Sequence, residues 1–343
     1  MKQRYSELDA IRGIAVLMVV LFHYSVRYGQ IYGYPVAPLF SFDIGKYGVQ
    51  LFFIVSGFVI FLTLDKTLHA ADFIVSRFSR LYPAYWFAVI FTFSIVYVFS
   101  LPGREVNFES ALINLTMIQK WLRVANVDKV YWTLAVELSF YFIMLLLFIT
   151  KQLKRINIIS LVWLAIIIGC KILEDNNIIH IHPAIKLLFL LEFGNLFIAG
   201  IMFYKIMHRE AFINYVILLF SLIAEYCLHE KSASLIAAYF LVFYLFAKNR
   251  MRVLAIKSLV YLGTISYSLY LIHQNVGYVI INKMKSFDVL NSISVILVPL
   301  LFSLLIATLM QIYIEKPSLV FIRGKWKESR LREHLTITYT RIK

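Results

Sequence analysis

Apolar stretches with the length of a membrane crossing recur along the chain, separated by short charged or polar connections. Ten can be drawn, over 9–28, 46–64, 80–100, 130–150, 156–173, 184–206, 212–229, 233–248, 259–282 and 290–314. A helix rises about 1.5 Å per residue, so about 20 apolar residues cross the roughly 30 Å hydrocarbon layer. The stretches at 156–173, 212–229 and 233–248 lie near the lower limit of about 17 residues, so pairs of them can also be re-entrant. The pattern predicts an all-α fold: a polytopic membrane protein with about ten transmembrane helices. The longest connection on one side, 101–129, carries ALINLTMIQKWL, an amphipathic piece suited to lie in the interface. With no internal repeat and no low-complexity tract, 1–320 reads as one membrane domain and 321–343 as a basic cytoplasmic tail.

Composition agrees. The 343 residues are 61% hydrophobic, 16% aromatic and 15% charged, and the mean hydropathy is +0.78. Soluble domains are about 25% charged. The net charge of +15 would suggest nucleic acid in a soluble protein, but in a membrane protein excess Lys and Arg mark cytoplasmic connections. With both termini placed inside, inner connections hold about twice the Lys and Arg of outer ones. Half of that excess comes from the tail RGKWKESRLR. The first apolar run follows Glu7, Asp9 and Arg12 and has no small-residue cleavage site behind it, so it is expected to stay as the first membrane helix. Cys170 and Cys227 are far apart, with no metal-ligand spacing, and no metal site is expected.

A few ionisable residues interrupt the apolar runs. In ELDAIRGIAVLMVVLFHY, Arg12 precedes the run and His23 closes it, eleven residues on. Eleven residues are about three turns and about 16 Å of rise, so the two share a face, and with Arg12 at the inner edge His23 falls near the midplane. Arg12 can snorkel, whereas His23 must face protein or water, as a functional group or as a neutral imidazole bonded to a neighbouring helix. Arg77 and Arg80 lie at i, i+3 before LYPAYW, and Pro83 places them at the cytoplasmic entrance of the third span. Their guanidinium forks suit phosphate, although simple topology flanking needs no ligand. Glu137, inside YWTLAVELSFYF, needs a partner or a proton; it can orient a histidine or arginine or make a structural hydrogen bond. Glu192 raises the same question. ISYSLYLIHQ brings Ser266, Tyr267, Ser268, Tyr270 and His273 into one membrane helix. Glu315-Lys316-Pro317 closes the last span, where Pro317 is expected to stop the helix and Glu315 to face the inner interface.

In their order, ELDAIRGIAVLMVVLFHY, GVQLFFIVSGFVI (48–60), RFSRLYPAYW (77–86), YWTLAVELSFYF, ISYSLYLIHQ and IEKPS (314–318) resemble the acyltransferase-3 family of bacterial membrane O-acyltransferases, over about residues 6–318. The resemblance implies a ten-helix domain that moves an acyl group, usually acetyl from acetyl-CoA, to an envelope glycan such as O-antigen or exopolysaccharide. It implies residence in the bacterial inner membrane, a glycan or lipid-linked sugar acceptor, and proteins of a glycan-assembly complex as candidate partners. The family's Arg-x10-His pattern falls on Arg12 and His23, and its RxxR pattern on Arg77 and Arg80, which it assigns to the CoA phosphates. Its tryptophan helix with a carboxylate falls on Trp132 and Glu137. Some members add an SGNH hydrolase domain, which is not expected here.

The resulting expectation is that His23 and Glu137 are catalytic and that Arg12, Arg77 and Arg80 hold the donor. His23 acts as general base on a sugar hydroxyl, or forms an acyl-histidine. Two rivals remain, a secondary transporter with intramembrane charges and a non-catalytic component of a glycan-assembly complex. The acceptor, the acyl group and the oligomeric state are not legible.

Overall fold

A computed structural model describes residues 5–329 and 332. Among these residues every regular element is helical and none is a strand. The long elements are α1 (Ser6–Phe22), α2 (Gly48–Asp65), α3 (Ala70–Phe99), α4 (Phe108–Asn114), α5 (Trp132–Ile149), α6 (Ile156–Asp175), α7 (Gly194–His208), α8 (Phe212–Leu228), α9 (Glu230–Ala247), α10 (Lys257–Ser286), α11 (Ser294–Met310) and α12 (Lys316–Lys327). Two π-helical turns, His23–Arg27 and Gln311–Glu315, interrupt the runs from α1 and α11.

Seven of the helical stretches among the described residues are long and apolar enough to cross a membrane. All ten sequence segments fall on helix, and three fall short for distinct reasons. The segment 184–206 breaks: a short helix Pro183–Leu188 ends, Leu190 follows with φ +54°, and α7 begins only at Gly194, with 15 residues. Helix α8 has 17 residues. Helix α10 has 30 residues but is too rich in polar groups. Two proline expectations are corrected. Helix α3 starts at Ala70 and runs through Pro83, so Arg77 and Arg80 lie within it rather than at its entrance. Pro317 does not end the helix. It occupies the first turn of α12, where its missing N–H costs nothing. Of the expected basic tail, residues 330, 331 and 333–343 lie outside the described residues.

The chain folds as two compact units. The first combines the described residues up to Val19 with Ile44–Asp65 and Trp132–Thr264. Its centre is the pair α2 and α7. Without side chains, Gly57 and Gly200 let the two backbones touch: a Cβ on Gly57 would meet Phe197 O at 2.1 Å, and one on Gly200 would meet Ile54 O at 2.1 Å. Small residues at crossing points are the usual means of close helix packing in lipid. Around this crossing Phe197 stacks on Phe140, with centroids 4.2 Å apart, and packs on Phe53 at 5.0 Å. The unit also buries Glu225 of α8, which accepts from Asn195 Nδ2 at 2.8 Å and Ser232 Oγ at 3.0 Å. Glu192, by contrast, is exposed in the turn before α7.

The second unit combines Val20–Asp43, Lys66–Tyr131 and the described residues from Ile265 on. The connection after α4 is tied down by Asn114, whose Nδ2 donates to Ala125 O at 2.8 Å and whose Oδ1 accepts from Val127 N at 3.0 Å. Tyr270 Oη then donates to Val130 O at 3.2 Å, fixing the connection to α10.

Candidate active site

The second unit holds a polar seam along α10. At its middle, His23 and His273 are both buried. His23 opens the π turn His23–Arg27, a local widening of the helix that recurs at functional sites. Nε2 of His273 lies 3.2 Å from Nδ1 of His23, with ring centroids 4.8 Å apart. His273 Nδ1 lies 2.8 Å from the carbonyl oxygen of Tyr270. A carbonyl only accepts, so Nδ1 of His273 carries the proton. In a neutral ring, Nε2 is then an acceptor, and Nδ1–H of His23 donates to it. The remaining nitrogen of a neutral His23, Nε2, is therefore the basic one. The second histidine thus sets the tautomer of the first, as a carboxylate or carbonyl does in other histidine sites.

The pair is braced on each side. Tyr24 Oη donates to His273 O at 2.7 Å and lies 2.9 Å from Ser303 Oγ. Two residues past His273, Asn275 donates from its backbone N–H to Asp128 Oδ2 at 3.0 Å and from Nδ2 to Val127 O at 2.8 Å. Asp128 is fully buried; Oδ1 also accepts from Val130 N at 3.2 Å. Burial pushes its carboxyl up to about 6, against the pull of those two N–H groups and of Arg104.

Ser268 lies five residues before His273 on α10, about 7.5 Å along the axis. It donates to Glu315 Oε2 at 2.9 Å, and Glu315 in turn pairs with Arg80. Glu315 is buried at the end of the second π turn, not facing the interface. Beyond Arg80 the seam turns basic. Arg323 of α12 donates from Nε to Ser79 Oγ at 3.0 Å and from Nη2 to Ser76 O at 3.0 Å. Ser76 Oγ is shared, accepting from Arg323 Nη2 at 3.1 Å and Arg77 Nη2 at 3.1 Å. The charges of Arg77 and Arg80 both reach Arg323. Three guanidiniums against one carboxylate leave a cationic cluster, matched to an anion with several phosphates.

Of the expected site residues, His23, Arg77 and Arg80 all lie in this unit. Arg12 and Glu137 belong to the first unit. Arg12 Nη1 is 3.8 Å from Asp9 Oδ1. Glu137 on α5 accepts from Ser56 Oγ at 3.1 Å and from Tyr141 Oη. Asp128 and Arg323 were missed. Asp128 sits in a polar connection that reads as solvated, and nothing in the spacing of Arg323 ties it to RxxR. His273 was legible as an ionisable residue in a membrane helix, but not its partner.

The family model described as an acyltransferase domain matches residues 5–311. The chain belongs to the acyltransferase-3 family. It is thus an acyltransferase-family enzyme built into a multi-pass membrane protein. Relatives include the exopolysaccharide production protein ExoZ of Rhizobium meliloti (strain 1021), 24% identical over 40% of this chain and 44% of that protein. A putative acetyltransferase, ORF330, of Acidianus two-tailed virus is 25% identical over 80% of this chain and 84% of its own. The acyltransferase MdmB of Streptomyces mycarofaciens is 28% identical over 40% of this chain and 38% of its own. The match to ExoZ thus spans less than half of that protein. No solved structure matches the chain. The family segment ends before Arg323, so α12 adds its arginine from outside the matched region.

Proposed function

We propose that this protein is an O-acyltransferase that moves an acetyl group from acetyl-CoA to a hydroxyl of an envelope glycan, in the family of exopolysaccharides and O-antigens. The observation that carries the reading is the order along α10: a cationic cluster at Ser268, then the His23–His273 pair about one and a half turns on. A phosphorylated donor anchored at Arg77, Arg80 and Arg323 reaches its thioester toward His23. Nε2 of His23 takes the proton of the acceptor hydroxyl as its oxygen attacks the thioester carbonyl. When the tetrahedral adduct collapses, the C–S bond breaks and the imidazolium returns the proton to the CoA thiolate. A general base of this kind contributes roughly 10²–10⁴ in rate. Attack by His23 itself, giving an acyl-histidine, is the two-step variant of the same site.

Arg12 retains the donor-end assignment that the family pattern gives it. Glu137, held by two hydroxyls, keeps the role that the family pattern gives the carboxylate of its tryptophan helix. The acetyl donor is supported by the name of the viral relative, and a polysaccharide acceptor by that of ExoZ. Residence in a bacterial inner membrane, with both termini in the cytoplasm, follows the distribution of Lys and Arg. That orientation puts the arginine cluster on the side where CoA is made. The test is radiolabelled acetyl-CoA with the purified protein and isolated envelope glycan. Label bound covalently to glycan supports the enzyme. Label carried across a vesicle without covalent transfer supports a transporter instead.

A further inference from the structure

Past His273, α10 continues to Tyr278. Its ring centroid lies 6.4 Å from that of His23 and 5.7 Å from Arg104 Cζ. A turn brings Arg104 there. In Leu101-Pro102-Gly103-Arg104 the N–H of Arg104 donates to Leu101 O at 2.9 Å. Pro102 supplies the fixed φ of the second position, and Gly103, at φ +72°, the positive φ that a type II turn needs at the third. Arg104 so placed is only 6% exposed, and its guanidinium Nη1 has no hydrogen-bond partner among the described residues. It lines a cavity of about 360 Å³ with Phe93, Val96, Tyr97 and Glu105. A buried guanidinium N–H without an acceptor is costly, and a phosphate oxygen is the acceptor its planar fork fits best.

The neighbouring charges favour an anion. Glu105 is turned to the backbone, accepting from the N–H of Arg104 at 3.2 Å. Asp128 is committed to the N–H groups of Asn275 and Val130. The Tyr32 hydroxyl lies beside the guanidinium, and the charges of Arg104 and Arg27 both reach Lys129. The apolar wall indicates what carries the anion. It is the last turn of α3, 16 to 19 residues and about 24–29 Å beyond Arg80, toward the opposite edge of the hydrocarbon layer. There Tyr97 of the wall is 77% exposed, in a helix of a membrane span, so its ring faces acyl chains.

We propose that Arg104 and this cavity bind the phosphate of a lipid, and that this lipid phosphate bears the acceptor glycan. The inference rests on the acyl-transfer reading only for the acceptor's role. In axial order, α10 then passes a donor anion at the level of Ser268, the histidine pair at His273 and an acceptor anion at the level of Tyr278.

The test is binding of hexadecyl phosphate to the purified protein by native mass spectrometry, with hexadecanol and inorganic phosphate as controls. The wild type is expected to bind hexadecyl phosphate at least tenfold more tightly than either control. Arg104→Gln is expected to weaken that binding at least tenfold, with Arg104→Lys between, and His23→Ala to bind as the wild type does. Equal binding of hexadecanol by the wild type, or undiminished binding by Arg104→Gln, overturns the site. Inorganic phosphate binding as tightly as the lipid overturns the lipid source. Intact binding by a protein that transfers no acetyl group would instead count against the acyl-transfer reading and leave the site standing.

Discussion

Replacing His273 by alanine separates a positioning role from mere packing. The change removes the ring that accepts from Nδ1 of His23, a contact of 3.2 Å between buried groups. A hydrogen bond is worth about 0.5–1.5 kcal/mol net, and leaving a buried donor unsatisfied costs about 1–3 kcal/mol. At about 1.4 kcal/mol per factor of ten, the loss of transition-state support is roughly 10- to 100-fold in kcat. The donor site lies a turn and a half away, so KM for acetyl-CoA should hold within about twofold. Glutamine at 273 can place its Oε1 near the lost Nε2 and accept from His23. His273→Gln should therefore recover most of the rate that His273→Ala loses. The assay is initial-rate kinetics on both variants in detergent or nanodiscs, after gel filtration shows them to be monodisperse. Full turnover by His273→Ala, or a glutamine variant no better than alanine, would refute the tautomer argument.

Three further outcomes are expected. Arg323→Ala should raise KM for acetyl-CoA several-fold with little change in kcat, because it removes one guanidinium from the phosphate cluster and touches no reacting atom; kinetics over donor concentration read this split. Glu315→Ala leaves Arg80 unpaired and Ser268 without its acceptor, at a cost of roughly 3 kcal/mol, visible as a lower midpoint of thermal unfolding, with Glu315→Gln milder because it still accepts from Ser268. Gly57→Ala would put a methyl 2.1 Å from Phe197 O at the α2–α7 crossing; it should cost about 1–3 kcal/mol and lower the yield of folded protein in membranes.

What could be read before folding follows from the range of the forces involved. Apolar runs announce membrane helices because the bilayer fixes their length, and all ten segments fall on helix. Local rules failed where tertiary contacts outweighed them. Pro83 removes one N–H from α3, yet the helix begins ten residues before the start that the proline rule predicts, and Arg323 binds Ser76 and Ser79 in its early turns. Pro317 reads as a stop because the π turn before it has no sequence signature. His23 and His273 were each visible as ionisable residues in apolar surroundings. That they face one another depends on helices 250 residues apart in the chain. Glu192 and Glu225 look alike in sequence, and only packing exposes the first and buries the second. Arg104 lies in a connection and carries no signal of its own, although the Pro-Gly pair before it marks the turn that aims it.

The most direct test of the account is acetyl transfer from labelled acetyl-CoA by the wild type and by His23→Ala, purified side by side and matched for folded protein. His23→Ala should lose at least a hundredfold in turnover, with acetyl-CoA still bound at the arginine cluster. Turnover by His23→Ala within a few-fold of the wild type would contradict it.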